Sequence, residues 1–410
     1  MRRVIAAIAA FGLAIGLAGC APESTVIDLG VDQADGALSD DVQAQLQSLT
    51  ETAMTAAGAP GAIVGVYAPW AGQWVAGLGV TEPEGAAVAA DMTFKAPGVS
   101  RAMTCDVLYG LVERGTVDLD DTVVEWVETY PNAKDITLEQ LCDGTSGIDT
   151  YLDVLLPRLL KNPERVWNAR ELAAYGLAKD RIFNPGTRYG ESDTGYLLLG
   201  VVLERVTGSS LNALYQEFVF EPLGMSTSSA PLNMPTGDVL NGFRSGRSKE
   251  GKTSCAEPLD ITALSPTAGG AAAGVVSDVD DLATYARALA AGARSYDTKS
   301  RFADARTLRS QPSWFTADGG AFQAGSLVGQ YGSIPGYLTA AFADRETGLA
   351  VVVVLNNSRA SAALVRTLAW QLAAVASKAP AAEGRTAPES GLPWTAESLA
   401  GTISETAVCS

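Results

Sequence analysis

The chain has 410 residues, of which 47% are hydrophobic and 18% charged, so it carries enough apolar side chain to bury a large core. Its formal net charge of -17 disfavours nucleic acid and anionic lipid surfaces as partners. It contains no histidine, which excludes Ser-His-Asp and Cys-His catalysis and removes the usual proton carrier at neutral pH.

Arg2 and Arg3 precede an apolar run, Val4–Ala18, that is too short to span a bilayer comfortably. The run ends in Leu17-Ala18-Gly19-Cys20, where small residues before a cysteine resemble the bacterial lipobox. Residues 1–19 are therefore expected to be a lipoprotein signal peptide, with lipid carried on Cys20 and the bilayer as a partner. The expected location is the outer face of a cell membrane, or the periplasm or outer membrane, depending on the host envelope. No other segment is long and apolar enough to span. Residues 20–39 are small and polar and read as a tether.

Residues 40–57 carry Val42, Leu46, Leu49 and Met54 at helical spacing, and Gly58 and Pro60 stop the helix. Residues 62–68 and 74–80 read as two strands joined by a turn. A helix over 103–114 continues from the segment Phe94-Lys95-Ala96-Pro97-Gly98-Val99-Ser100-Arg101. Residues 121–290 read as an all-helical region, with helices over 195–205 and 278–291. Strands are expected at 325–328, 337–344 and 349–356, the last containing four consecutive valines typical of a strand buried on both faces. A final helix covers 362–375, and 379–410 is expected to be a Pro/Ala/Gly-rich linker followed by a tail.

Strands at both ends of the chain around a helical middle predict an α+β fold, an α/β sandwich with one antiparallel sheet flanked by helices. The main domain is expected over 40–378. Four cysteines remain beside Cys20, an even number that favours disulfides in an exported protein and allows three connectivities. The preferred pairs are Cys105 with Cys142, tying a helix to a neighbouring loop, and Cys255 with Cys409, holding down the tail. No metal or cofactor is expected. The densest carboxylate group, Asp278, Asp280 and Asp281, fits an ordinary helix start.

Several segments in order carry a family resemblance over about 43–375. They are Leu111–Gly115 leading to Asp121, Phe183–Gly186, Gly195–Gly200, Glu221–Met225, and Ala268–Gly270 leading to Asp281–Ala283. Together they resemble the penicillin-recognising serine hydrolases, in particular the branch of class C β-lactamases, D-alanyl-D-alanine carboxypeptidases and esterases. The resemblance implies the β-lactamase/transpeptidase-like fold and a catalytic Ser-x-x-Lys motif. In that motif one helix turn sets the lysine beside the serine to take its proton.

The matching pair here is Gly98 and Arg101. Glycine has no nucleophilic atom, and a guanidinium stays protonated at any accessible pH. The family's Tyr-x-Asn falls on Glu191-Ser192-Asp193, and its third motif on Gln330-Tyr331-Gly332, where the cationic or titratable residue is neutral. The expected site is thus a disarmed one, in which Glu191 or Asp193 neutralises Arg101. A ligand such as a cell-wall peptide, or an envelope protein, would contact Gly98, Arg101, Glu191, Ser192, Asp193, Gln330, Tyr331 and Gly332. The backbone N–H groups beside Gly98 are one candidate anion dock. The competing reading is a hydrolase with a displaced nucleophile, for which Ser100, Ser146 and Ser192 are the candidates.

Overall fold

The computed structural model describes residues 26–409 apart from 129, 248–250, 252, 295–300 and 390. The expected signal peptide and the lipid-bearing Cys20 lie outside the described residues.

Twelve strands follow the chain as β1 (Gly61–Ala68), β2 (Gly72–Gly79), β3 (Phe94–Lys95), β4 (Phe243–Arg247), β5 (Thr253–Asp260) and β6 (Val276–Ser277), then β7 (Arg306–Thr307), β8 (Phe315–Asp318), β9 (Ala321–Ala324), β10 (Leu327–Ile334), β11 (Tyr337–Asp344) and β12 (Ala350–Leu355). Eight of them form one antiparallel sheet in the order β2-β1-β12-β11-β10-β9-β8-β7, so strands from the two chain ends meet at β1 and β12. The pairing sets Val64 opposite Val353 and Val66 opposite Val351. The fold is the α+β sandwich read from the sequence.

Strands β1, β11 and β12 are buried along their whole length because helices cover both faces. Side-chain alternation splits the core accordingly. Val352 and Val354 join the core that contains the Val99–Glu113 and Val279–Ala291 helices. Val351 and Val353 join the core beneath the Asp40–Ala57 and Ala362–Ala376 helices. The Asp40–Ala57 helix has two acidic residues in its first turn and ends on Gly58 at φ +64°, as the sequence signals require.

The region over 121–290 is not all helical. The β4–β5 hairpin and the two-stranded β3–β6 pair lie within or against it. Short strands with mixed polarity, such as Phe-Arg-Ser-Gly-Arg, carry no clear period. Strands β8 and β9 were likewise not legible, and the strand expected at 325–328 extends to Ile334 as β10.

The expected tether over 20–39 and linker over 379–393 are also corrected. From Ile27 onward the N-terminal segment lies on the body, with Ala34 and Leu38 buried. Its backbone donates to Pro69 O at 2.8 Å and to Gln73 O at 3.0 Å, completing a sheet edge. After the Ala362–Ala376 helix, Ala379 O accepts from the Trp70 indole at 2.9 Å. Trp394 stacks on Trp370 at 5.1 Å and donates to its carbonyl at 2.9 Å. A last helix, Ala396–Thr406, follows, and Cys409 is bonded to Cys255 on β5. Small residues pack here because the bulky anchors, Leu38, Trp70 and Trp394, are few and widely spaced.

Trp394 is thus a core residue in a segment whose composition reads as a linker. Replacing it with alanine is expected to cost about 3–5 kcal/mol, measured by urea unfolding. A loose tail would instead lose almost nothing.

Candidate functional site

The Val99–Glu113 helix starts from Gly98, which has φ +78°, a conformation that favours glycine. The backbone of β10 presses against it. A Cβ placed on Gly98 would stand 2.2 Å from the Tyr331 carbonyl oxygen. A Cβ on Gly332 would stand 2.7 Å from the Gly98 nitrogen. Two glycines therefore let the helix start and the strand approach closer than any side chain permits. The volume that a serine side chain would need is filled by main chain.

One turn along, Arg101 is 6% exposed. Its Nη2 lies 2.6 Å from Asp193 Oδ1 and its Nη1 3.4 Å from Glu191 Oε1. Asp193 opens the Asp193–Thr207 helix, which Ser192 caps by accepting the Gly195 N–H at 3.0 Å. The Tyr196 ring lies under the guanidinium at 5.4 Å. Burial opposes the Arg101 charge, but the Asp193 and Glu191 carboxylates outweigh it and hold the group above its already high range. Arg101 is a permanent cation with no capacity to accept a proton.

The third-motif residue, Gln330, is buried and donates to Gly320 O at 2.8 Å. Tyr331 accepts from Arg366 Nη1 at 3.2 Å, and that guanidinium is packed among the Phe315, Tyr331 and Trp370 rings. The structure therefore brings the expected residues together, but not as an open cleft. Gly98, Arg101, Ser192, Asp193, Gln330, Tyr331 and Gly332 are all buried, and only Glu191 reaches solvent. The seven buried positions are thus enclosed in this structure, and the Tyr331–Gly332 main chain lies against Gly98.

The three candidate serines are committed to structural bonds. Ser100 is fully buried, donates to Ala96 O at 3.1 Å and accepts the Val275 N–H at 3.1 Å. Ser146 is buried and accepts the Ile148 N–H at 3.4 Å, and Ser192 is the cap already described. Asp278 caps its helix through Asp281 N–H at 2.9 Å, Asp280 accepts from Tyr67, and Asp281 accepts from Ser228 at 2.8 Å.

Two features had no sequence signal. Lys95, just before the motif, is fully buried and its amine has no hydrogen-bond partner among the described residues; it lies 5.3 Å from the Tyr337 ring centre. Burial alone lowers it to about 7. The second is a carboxyl pair, in which the Gly319 N–H donates to Asp318 Oδ1 at 2.9 Å and to Asp143 Oδ1 at 3.2 Å. Burial first, then Asp318 and Glu139, push Asp143 up to about 8, and burial raises Asp318 as well. The pair flanks the Cys105–Cys142 disulfide, which fixes the Val99–Glu113 helix to the short Leu138–Cys142 helix.

A cavity of about 510 Å³ lies elsewhere, between the Asp193–Thr207 helix and the 266–274 segment. Leu197, Gly200, Glu204, Leu211, Leu232 and Ala271 are among its walls, and no residue of the three degenerate motifs lines it.

The family model for beta-lactamase matches residues 46–374. The chain belongs to the beta-lactamase family. It is 26% identical over 314 residues to a D-aminopeptidase of Cereibacter sphaeroides, a match covering 72% of this chain and 57% of that protein. The chain thus spans somewhat over half the length of that relative. Penicillin-binding protein 4* of Bacillus subtilis is 26% identical over 141 residues, covering 32% of this chain and 29% of that protein. Among solved structures, the D-stereospecific amidohydrolase from Streptomyces superposes with a TM-score of 0.67 at 24% identity, covering 80% of this chain and 97% of that one. That likeness establishes the beta-lactamase/transpeptidase-like fold. In this family member the shared scaffold surrounds Gly98 and Arg101 at the positions that the resemblance assigns to serine and lysine.

Asp193→Ala leaves a buried guanidinium with only a half-exposed partner and is expected to cost about 3–5 kcal/mol in urea unfolding. Glu191→Ala, by contrast, should cost no more than about 1 kcal/mol, because solvent screens that side chain.

The carboxyl pair sets a pH dependence. The folded state keeps a proton on Asp143 that the unfolded chain releases near pH 4, so stability falls as pH rises from about 4 toward 8. Asp143→Asn supplies a permanent donor to Asp318. The urea midpoint of the wild type is expected to drop more between pH 5 and pH 8 than that of the variant, as followed by tryptophan fluorescence.

Proposed function

We propose that this beta-lactamase family member is a lipid-anchored, catalytically inactive protein of the cell envelope that binds rather than hydrolyses. Acyl transfer by this fold needs an activated hydroxyl facing an open cleft. The observation that carries the proposal is the contact between the Gly98 helix start and the Tyr331–Gly332 main chain, which fills the nucleophile's place. The locked Arg101 and the structural bonds of Ser100, Ser146 and Ser192 support the same reading. The anchor rests on the basic start, the short apolar run and Leu17-Ala18-Gly19-Cys20. A cell-wall peptide or an envelope protein is the proposed partner class. With the cleft shut, that partner would meet the outer surface.

The test is intact-mass analysis of the full chain after incubation with a fluorophosphonate and, separately, a β-lactam. No adduct is expected on the wild type, and a covalent adduct on any serine would overturn the proposal. Gly98→Ser/Arg101→Lys/Glu191→Tyr restores the residue types, yet it too is expected to stay unreactive. The new Cβ would meet Tyr331 O in a backbone conformation that strains any side chain.

A further inference from the structure

Arg244, on the β4 strand, is half-buried and donates from Nη1 to Ser358 O at 2.7 Å and to Ser358 Oγ at 3.5 Å. The hydroxyl of Ser358 also accepts the Gly336 N–H at 2.9 Å, at the β10–β11 turn. Asn357 fixes the same loop by donating to Gly58 O and Ser245 Oγ, both at 2.8 Å. Ser358 is followed directly by Arg359, and Arg247 lies three residues beyond Arg244 on the same strand. Arg247 is exposed, and a register shift lies between Arg244 and Gly246 just before it.

No carboxylate lies within ion-pair distance of Arg244, Arg247 or Arg359 among the described residues. This occurs in a chain with 46 acidic and 29 basic residues. Six other arginines, Arg101, Arg114, Arg165, Arg181, Arg301 and Arg385, do have such partners, and Arg158, Arg287 and Arg366 are instead held by neutral groups or aromatic rings. The three guanidiniums instead act on one another. Burial, then Arg359 and Arg247, pull Arg244 below its usual range, and burial and Arg247 do the same to Arg359.

We propose that Arg244, Arg247 and Arg359 form a binding site for a phosphate group. Each guanidinium is a planar fork of donors, and the Ser358 contacts hold Arg244 in place while its other donors have no hydrogen-bond partner among the described residues. Three forks match a tetrahedral dianion, which offers more oxygens than the two of a single carboxylate. The bound charge would relieve the repulsion among the cations. The site lies behind the β10–β11 turn, outside the closed nucleophile position, and does not depend on whether the protein is catalytic.

The group could come from a soluble phosphate or phosphomonoester, or from a phospholipid headgroup. Titration calorimetry of the full chain in detergent with inorganic phosphate tests the shared chemistry, with sodium acetate and sodium chloride at matched ionic strength as references. Saturable phosphate binding is expected, weakened at least about tenfold in Arg247→Gln/Arg359→Gln. That variant leaves the Ser358 contacts of Arg244 in place, and its circular dichroism and urea midpoint check that it folds. Absence of phosphate binding, equal binding by the variant, or equal heats with acetate would overturn the proposal. Flotation with phosphatidylcholine vesicles, with and without phosphatidic acid, separates the sources. Wild-type retention that rises with phosphatidic acid and is lost in the variant assigns a headgroup, and unchanged retention beside phosphate binding assigns a soluble ligand.

Discussion

A guanidinium cannot leave its charge behind when it is buried, and Arg101 is buried at the head of the helix that would carry the nucleophile. Everything around it follows from that constraint. Asp193 must stand at 2.6 Å, so the Asp193–Thr207 helix must present its first residue to the Val99–Glu113 helix. The second motif thereby becomes a counter-charge instead of a proton relay. A lysine at the same position could lose its proton on burial and act as a base. Arginine turns the same geometry into a fixed ion pair.

The second constraint is steric. Gly98 and Gly332 let a helix start and a strand approach through main chain, which leaves no room for a side chain at either position. The scaffold behind them is held independently. Arg301, fully buried, binds Asp106 at 2.6 Å and the carbonyls of Ala102 and Gly319, so the Val99–Glu113 helix is clamped from its other side. Replacement of the motif residues and retention of the fold are therefore compatible, because the groups that position the helix are not the groups that the family's reaction would use.

The elements that could be read from the sequence are those whose pattern is set by a single face or by full burial. The Asp40–Ala57 helix shows the first case, and the Val351–Val354 run the second. The Ala379–Pro393 stretch could not be read, because composition reports average polarity while docking depends on a few anchors such as Trp394. The degenerate motifs were legible residue by residue, and so was the charge pairing of Arg101 with its acidic neighbours. The close approach of β10 to Gly98 was not. It depends on how far β10 advances toward Gly98, and a glycine in sequence signals permission for close approach without naming what approaches. Lys95 and the Asp143–Asp318 pair were hidden for a related reason, since burial of a charged residue is decided by tertiary packing.

The distribution of charge then separates the two places where an anion might be held. Inside the former site every charge is already answered, Arg101 by Asp193 and Glu191, and a second anion would meet two carboxylates. On the β4 side of the sheet the balance is reversed: among the described residues, Arg244, Arg247 and Arg359 have no carboxylate within ion-pair distance. An acidic surface lowers the local concentration of anions everywhere else on the molecule. An anion that does approach therefore finds its favourable field at this cluster and not at the position where a nucleophile would stand. On the proposed reading, binding and catalysis, which share one cleft in a working hydrolase, are separated in this chain.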